Sequence, residues 1–337
     1  MGYRVSGRLR LGAGRTVELG ARVFDELAAI EDWQLRTDEV GWASFLFHRD
    51  YRDYYLGRGV AGTARVKVGP MLAVSGGVAW TDATSIAAGA PWTLFRNDEP
   101  WRANPIVDDG TFTTLTGGIE LDTRAEQRWG GGVRLAMEWE HGIGSDLVPR
   151  DLPTSVRDPI PLEGYRYDRV WGDLRLYVPL AGGGFAFRAV GGGEVGDSPL
   201  PVQRRLSLGG PDPMPGFGFR QFACNEAVGD AAAPALCDRL FVVQAEFRTG
   251  LGFGWPDWDD DHEHDEPWHV WHAFEWDDPH FVLFADGGDA WLKKDGPGTF
   301  RWDLGVGLSL GGFGVYVARG VGPDDPIQGI LRLHQRF

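Results

Sequence analysis

Along most of the chain, apolar and polar side chains alternate with a period of two, the spacing that sends successive residues to opposite faces of a strand. In 299–310, Phe300, Trp302, Leu304, Val306, Leu308 and Leu310 share one face, while Arg301, Asp303, Gly305, Gly307 and Ser309 share the other. In 239–253, Phe241, Val243, Ala245, Phe247, Leu251 and Phe253 oppose Gln244, Glu246 and Arg248. Upstream, Val133, Leu135, Met137 and Trp139 oppose Arg134, Glu138 and Glu140, and Leu174, Leu176, Val178 and Leu180 oppose Asp173, Arg175 and Tyr177. Val5, Leu9 and Leu11 face away from Arg4, Arg8 and Arg10 in the first such segment. The pattern predicts strands at 3–11, 16–24, 41–49, 59–68, 71–81, 111–122, 130–141, 165–180, 184–195, 239–253, 280–291, 299–310, 312–321 and 327–337. These make fourteen, with twelve to sixteen as the working range.

One oily row and one charged row on so many strands predict an all-β fold, a transmembrane antiparallel β-barrel of the bacterial outer membrane. An even count closes such a barrel with both chain ends on the periplasmic side and no strand edge bare to lipid. A soluble sandwich or lipocalin-like barrel would turn its oily rows inward, and the charged rows would then leave that core hard to close. Tyr165, Tyr167, Trp139 and Trp80, near strand ends, are expected to form interfacial girdles. The long connections 82–110, 142–164 and 196–238 are assigned to the outer side. Short turns near 69–70, 123–129, 181–183 and 311 fall on the inner side, together with two longer connections, 25–40 and 254–279.

Composition agrees with strands and tight turns: 50 Gly, 15 Trp and 19 Phe stand against 4 Met. A mean hydropathy of −0.25 is no obstacle, because only alternate residues of a barrel strand meet lipid. The formal net charge of −15 and the lack of a basic stripe exclude nucleic acid as a partner. Met1–Arg10 lacks the apolar core and cleavage site of a signal peptide, so we expect that Met1 is not the natural start or that a leader has been removed. The whole of 1–337 is taken as one barrel domain.

The loop 196–238 has its own chemistry. Glycines at 209, 210, 216 and 218 permit close approach to a wall, and prolines at 211, 213 and 215 stiffen the segment, as suits a loop folded into a lumen. Leu208-Gly209-Gly210, Met214-Pro215-Gly216-Phe217 and Phe219-Arg220-Gln221-Phe222 resemble the inward-folded sixth loop of the bacterial surface-antigen superfamily, which includes the barrel-assembly insertase and two-partner secretion transporters. Phe284 to Trp291, with Asp286 and Gly288, resembles the strand whose wall aspartate holds that loop's tip arginine. The alternating end, Ile327, Leu331, Leu333 and the terminal aromatic Phe337, resembles the last strand of clients of the assembly machinery. Pro215 stands where the family carries the tip arginine, and Arg220 is expected to reach Asp286 in its place. The resemblance further implies a seam between the first and last strands, where Gly7 and Gly329 weaken pairing.

Cys224 and Cys237, in the same loop and exposed to an oxidising compartment, are expected to form a disulfide. Run 258–272 is dense in Asp, Glu and His. His262 and His264 are its candidate metal ligands, although Pro256 and Pro267 and the absence of fixed ligand spacing fit a solvated acidic extension better. No nucleophile constellation is persuasive, and neither an enzymatic activity nor a cofactor is expected. Glu138 with Arg134 or Arg175 is expected to line the lumen. Insertion of proteins into the outer membrane, or their translocation across it, is the expected function. Lipid, unfolded clients and an assembly machinery are the expected partners. A passive pore and an anchor for an absent N-terminal passenger or periplasmic domain are the alternatives.

Overall fold

The computed structural model describes residues 2–12, 16–124, 131–224, 226–228, 236–251 and 279–336. Among these, thirteen strands form one antiparallel sheet in which every strand pairs with its neighbours in chain order. They are β1 (Tyr3–Leu11), β2 (Val17–Ala29), β3 (Tyr54–Val68), β4 (Leu72–Thr84), β5 (Asp109–Asp122), β6 (Gly132–Val148), β7 (Arg166–Leu180), β8 (Gly183–Val195), β9 (Arg239–Gly250), β10 (His280–Trp291), β11 (Arg301–Leu310), β12 (Phe313–Gly320) and β13 (Ile327–Arg332).

The alternation separates the two faces as the sequence requires. On β11, Leu304 is 58% exposed, whereas its neighbour Asp303, opposite Asp286 of β10, is fully buried. Leu174, Leu176 and Val178 of β7 and Phe185 and Phe187 of β8 lie outside in the same way. A soluble sheet shows the reverse polarity; oil outside and charge inside is that of a barrel whose solvent is the bilayer. No helix among the described residues is long and apolar enough to cross a membrane.

Where a fourteenth strand was expected, at 41–49, the chain forms helix α1 (Thr37–Phe47). Trp42 and Phe45 alternate with nothing in particular but stand three apart, and their rings meet at 5.9 Å on one helical face. Asp38 and Glu39 occupy the first turn, where the helix dipole favours acids, and Glu39 accepts the Arg36 N–H at 3.3 Å. His48, at φ 56°, ends the helix in a left-handed cap. With this strand gone the count is odd. β1 therefore starts on the side of the long connections and β13 ends on the side of the short turns, rather than both on one side. The connection 30–53, carrying α1, joins 85–108, 149–165 and 196–238 on the long side. Two further expectations fail. Tyr165 and Tyr167 are not girdle residues but are buried inside, with Tyr55, Phe112, Leu200 and Val202, whereas Trp80 and Trp139 do face outward. The last strand stops at Arg332 instead of running to 337, because the tail that follows turns inward with Arg336 buried.

Candidate functional site: the lumen loop

Loop 196–238 touches walls as far apart as β3 and β13, which requires the sheet to curl around it. At its root Arg205 pairs with Asp238 at 2.7 Å, and both side chains are buried. Two backbone bridges, Leu206 to Cys237 and Leu208 to Phe222, zip the descending and returning arms into a ribbon. The expected disulfide joins Cys224 and Cys237 across that ribbon. Leu206, Leu208, Met214, Phe217 and Phe222 form an apolar spine against Val190, Leu240 and Val242 of the wall. Gly209 and Gly210, at φ 102° and 118°, make the turn that starts the tip, a conformation that L side chains resist.

The tip is pinned to the wall from β9 to β13. Gln244 of β9 donates to the Pro213 carbonyl at 2.9 Å, and Arg332 of β13 lies 3.4 Å from Asp212. Met214 and Leu208 press against Gly288 of β10, where an added Cβ would sit 3.0 Å from each. The buried Pro215 is followed by Gly216, whose N–H donates to Asp303 at 2.6 Å and whose carbonyl accepts the Gly320 N–H at 3.2 Å. A side chain at 216 would fall within 2.4 Å of the Asp303 Cβ, so only glycine reaches this close.

The expected pairing of Arg220 with Asp286 does not occur. Arg220 lies on the returning arm, its N–H bonded to the Gly209 carbonyl, and there it meets Asp53, the residue before β3. Arg102 grips the same buried Asp53, and both guanidinium groups lie over the Phe219 ring, at 5.1 and 5.2 Å. Burial draws the Arg220 guanidinium down to about 10 against the pull of Glu31 and Asp50, which leaves it cationic at neutral pH. Glu31 itself, pushed upward by burial, accepts the Ser207 N–H at 3.0 Å, and Gln34 donates to the Ser207 carbonyl. Asp286 is taken instead by Arg336, which also lies 3.9 Å from Glu246 and 3.8 Å above the Phe284 ring. The tail thus supplies the cation that Pro215 cannot.

Several carriers of this site carry no sequence signal, because their partners lie far along the chain: Asp53, Arg102, Glu31, Arg332, Arg336 and the buried pair Asp108–Arg157. Asp108 receives Arg157 Nη2 at 3.0 Å and the Val202 N–H at 2.7 Å, fastening the loop's descending arm. The expected lumen pairs are also re-sorted. Arg134 binds Glu120 and Arg175 binds Asp173, each within the reach of an adjacent or same-strand carboxylate, and neither is bonded to Glu138. Gly7 lies opposite Ala21 and Gly329 opposite Val317, with open space at each, and no ladder joins β1 to β13 among the described residues. Phe337, His262 and His264, with nearly all of 254–279, lie outside the described residues.

No protein-family model matches the chain, and no curated protein sequence matches it. Among solved structures, it is similar to BamA from Haemophilus ducreyi lacking POTRA domains 1–3, with a TM-score of 0.58 and 12% identity, over 98% of this chain and 60% of that one. The chain thus spans less than two thirds of that structure, and at this identity the likeness is one of fold: a BamA-like antiparallel β-barrel.

Proposed function

We propose that this chain is a non-enzymatic outer-membrane barrel that helps insert proteins into the outer membrane or pass them across it, with lipid, unfolded clients and an assembly machinery as partners. The observation that carries this reading is the pairing of a fastened lumen loop with a sheet whose end strands share no ladder among the described residues. A passive pore works through an open lumen, whereas here a ribbon bonded to Asp53, Asp108, Gln244 and Asp303 occupies it. Strand edges are costly in hydrocarbon, because each bare N–H or carbonyl lacks water. An incoming client strand satisfies them, which gives the edges of β1 and β13 a use. The fold likeness to BamA and the Gly209–Phe217 resemblance support the same reading.

The test is reconstitution. Proteoliposomes carrying this chain should speed the folding of a small eight-stranded client over empty liposomes, as read by its heat-modifiable gel mobility. Folding no faster than in empty liposomes, together with a large steady conductance, would replace this reading with a solute pore.

A further inference from the structure

Helix α1 and residues 92–95 present an exposed aromatic plate outside the strands, made of two groups of rings. Trp42 meets Phe45 and Phe45 meets Trp92, both at 5.9 Å, and Phe47 stacks on Phe95 at 6.4 Å. The Leu94 and Phe95 N–H groups donate to the Phe45 and Leu46 carbonyls at 2.8 and 3.2 Å, so the plate is held by backbone as well as by rings. Its exposure runs from 42% at Phe45 to 61% at Trp92. The face of α1 turned away from Trp42 and Phe45 buries Glu39 and Val40, with Glu39 accepting Arg332 Nε at 2.7 Å and the Leu333 N–H at 3.1 Å. Asp38 binds His334 beside it. A helix bathed in water does the reverse, turning acids outward and rings inward. At Glu39, Trp42 and Phe45, with the acid buried and the rings exposed, α1 has the polarity of the strands.

We propose that this plate is a lipid-binding surface, lying among the acyl chains at the edge of the bilayer. Continuity with the lipid face supports that occupant: Glu39 holds the backbone of Leu333, two residues beyond Leu331, which with Ile327 belongs to the outward oily row of β13. At its other end α1 is tied through His48, stacked on Trp101 at 3.9 Å, to the connection between β4 and β5. The helix therefore links strands near the two ends of a sheet that no described ladder joins, and its rings extend the oily surface there. Large aromatic side chains suit this depth, where ring and headgroup meet.

The proposal rests on the embedded barrel and not on protein insertion. Phe45→Cys in the full chain, whose native cysteines are paired, is labelled with an environment-sensitive fluorophore and placed in phosphatidylcholine vesicles containing nitroxide lipid. Leu331→Cys serves as the lipid reference and Glu163→Cys as the water reference. Lipid quenching at 45 should come within about twofold of that at 331, and iodide quenching should be about fivefold below that at 163. Iodide quenching equal to that at 163, or protection from both quenchers, overturns the proposal. Absence of lipid quenching at 331 sinks the embedded barrel, and the proposal with it.

Discussion

Replacing Gly216 with valine should unseat the lumen loop. The first atom of the new side chain would lie 2.4 Å from the Asp303 Cβ, 2.6 Å from the Arg319 carbonyl carbon and 2.7 Å from the Gly320 nitrogen, two of them backbone atoms that cannot swing away. The tip must withdraw. It then loses the bond from the Gly216 N–H to Asp303, 2.6 Å long, and the Gly320 bond, 3.2 Å long. A charge-assisted bond contributes about 2 kcal/mol and an ordinary backbone bond about 1 kcal/mol. Together they shift the balance between seated and withdrawn tip by about 3 kcal/mol, or about 100-fold. Single-channel recording in planar bilayers should show long open events that the unaltered protein lacks, and protease should cut within 211–219 while the barrel keeps its heat-modifiable mobility. Asp303→Asn, which preserves shape but weakens the acceptor, should give a smaller effect of the same sign. A valine variant with unaltered conductance and protease resistance would refute the seating of the tip against β11 and β12.

Arg220→Ala should cost about 2 kcal/mol of thermal stability in detergent, less than the usual loss for a broken buried pair, because Arg102 still neutralises Asp53; adding Arg102→Ala should cost more than the two separate losses combined. Reducing the Cys224–Cys237 bond should lower stability by about 3 kcal/mol on the chain-entropy estimate, seen as a fall in Tm with reductant that a Cys224→Ser/Cys237→Ser variant does not repeat. Burial alone would raise the Glu39 carboxyl, but the Arg332 charge and hydrogen bond outweigh it and hold the group below its ordinary value; His334 does the same for Asp38. Groups depressed in the folded state contribute stability that is present above the ordinary carboxylate range and lost as pH falls through the depressed values. Acidification from neutral pH to below that range should therefore loosen α1 from the tail, read as rising accessibility of the thiol in Gln335→Cys, and Glu39→Gln should be loose at every pH.

Much of the barrel was legible locally, since the face a strand residue takes depends only on its parity: Leu304 out and Asp303 in follow from adjacency alone. The disulfide was legible too, because both cysteines lie in one loop and share one compartment. The segment 41–49 misled, because Phe45 and Phe47 stand two apart, as on a strand, while Trp42 and Phe45 stand three apart, as on a helix, and Glu39's tie to Arg332, far along the chain, favours the helix. Partner choice among the lumen charges could not be read from spacing. Arg220 meets Asp53, and Asp286 meets Arg336, because a curled sheet brings together residues that the chain keeps distant. Sequence by itself determined which side chains face oil and which face water; only the tertiary structure decided which charge meets which, because Coulomb and hydrogen-bond energies depend on distances in space that periodicity does not contain.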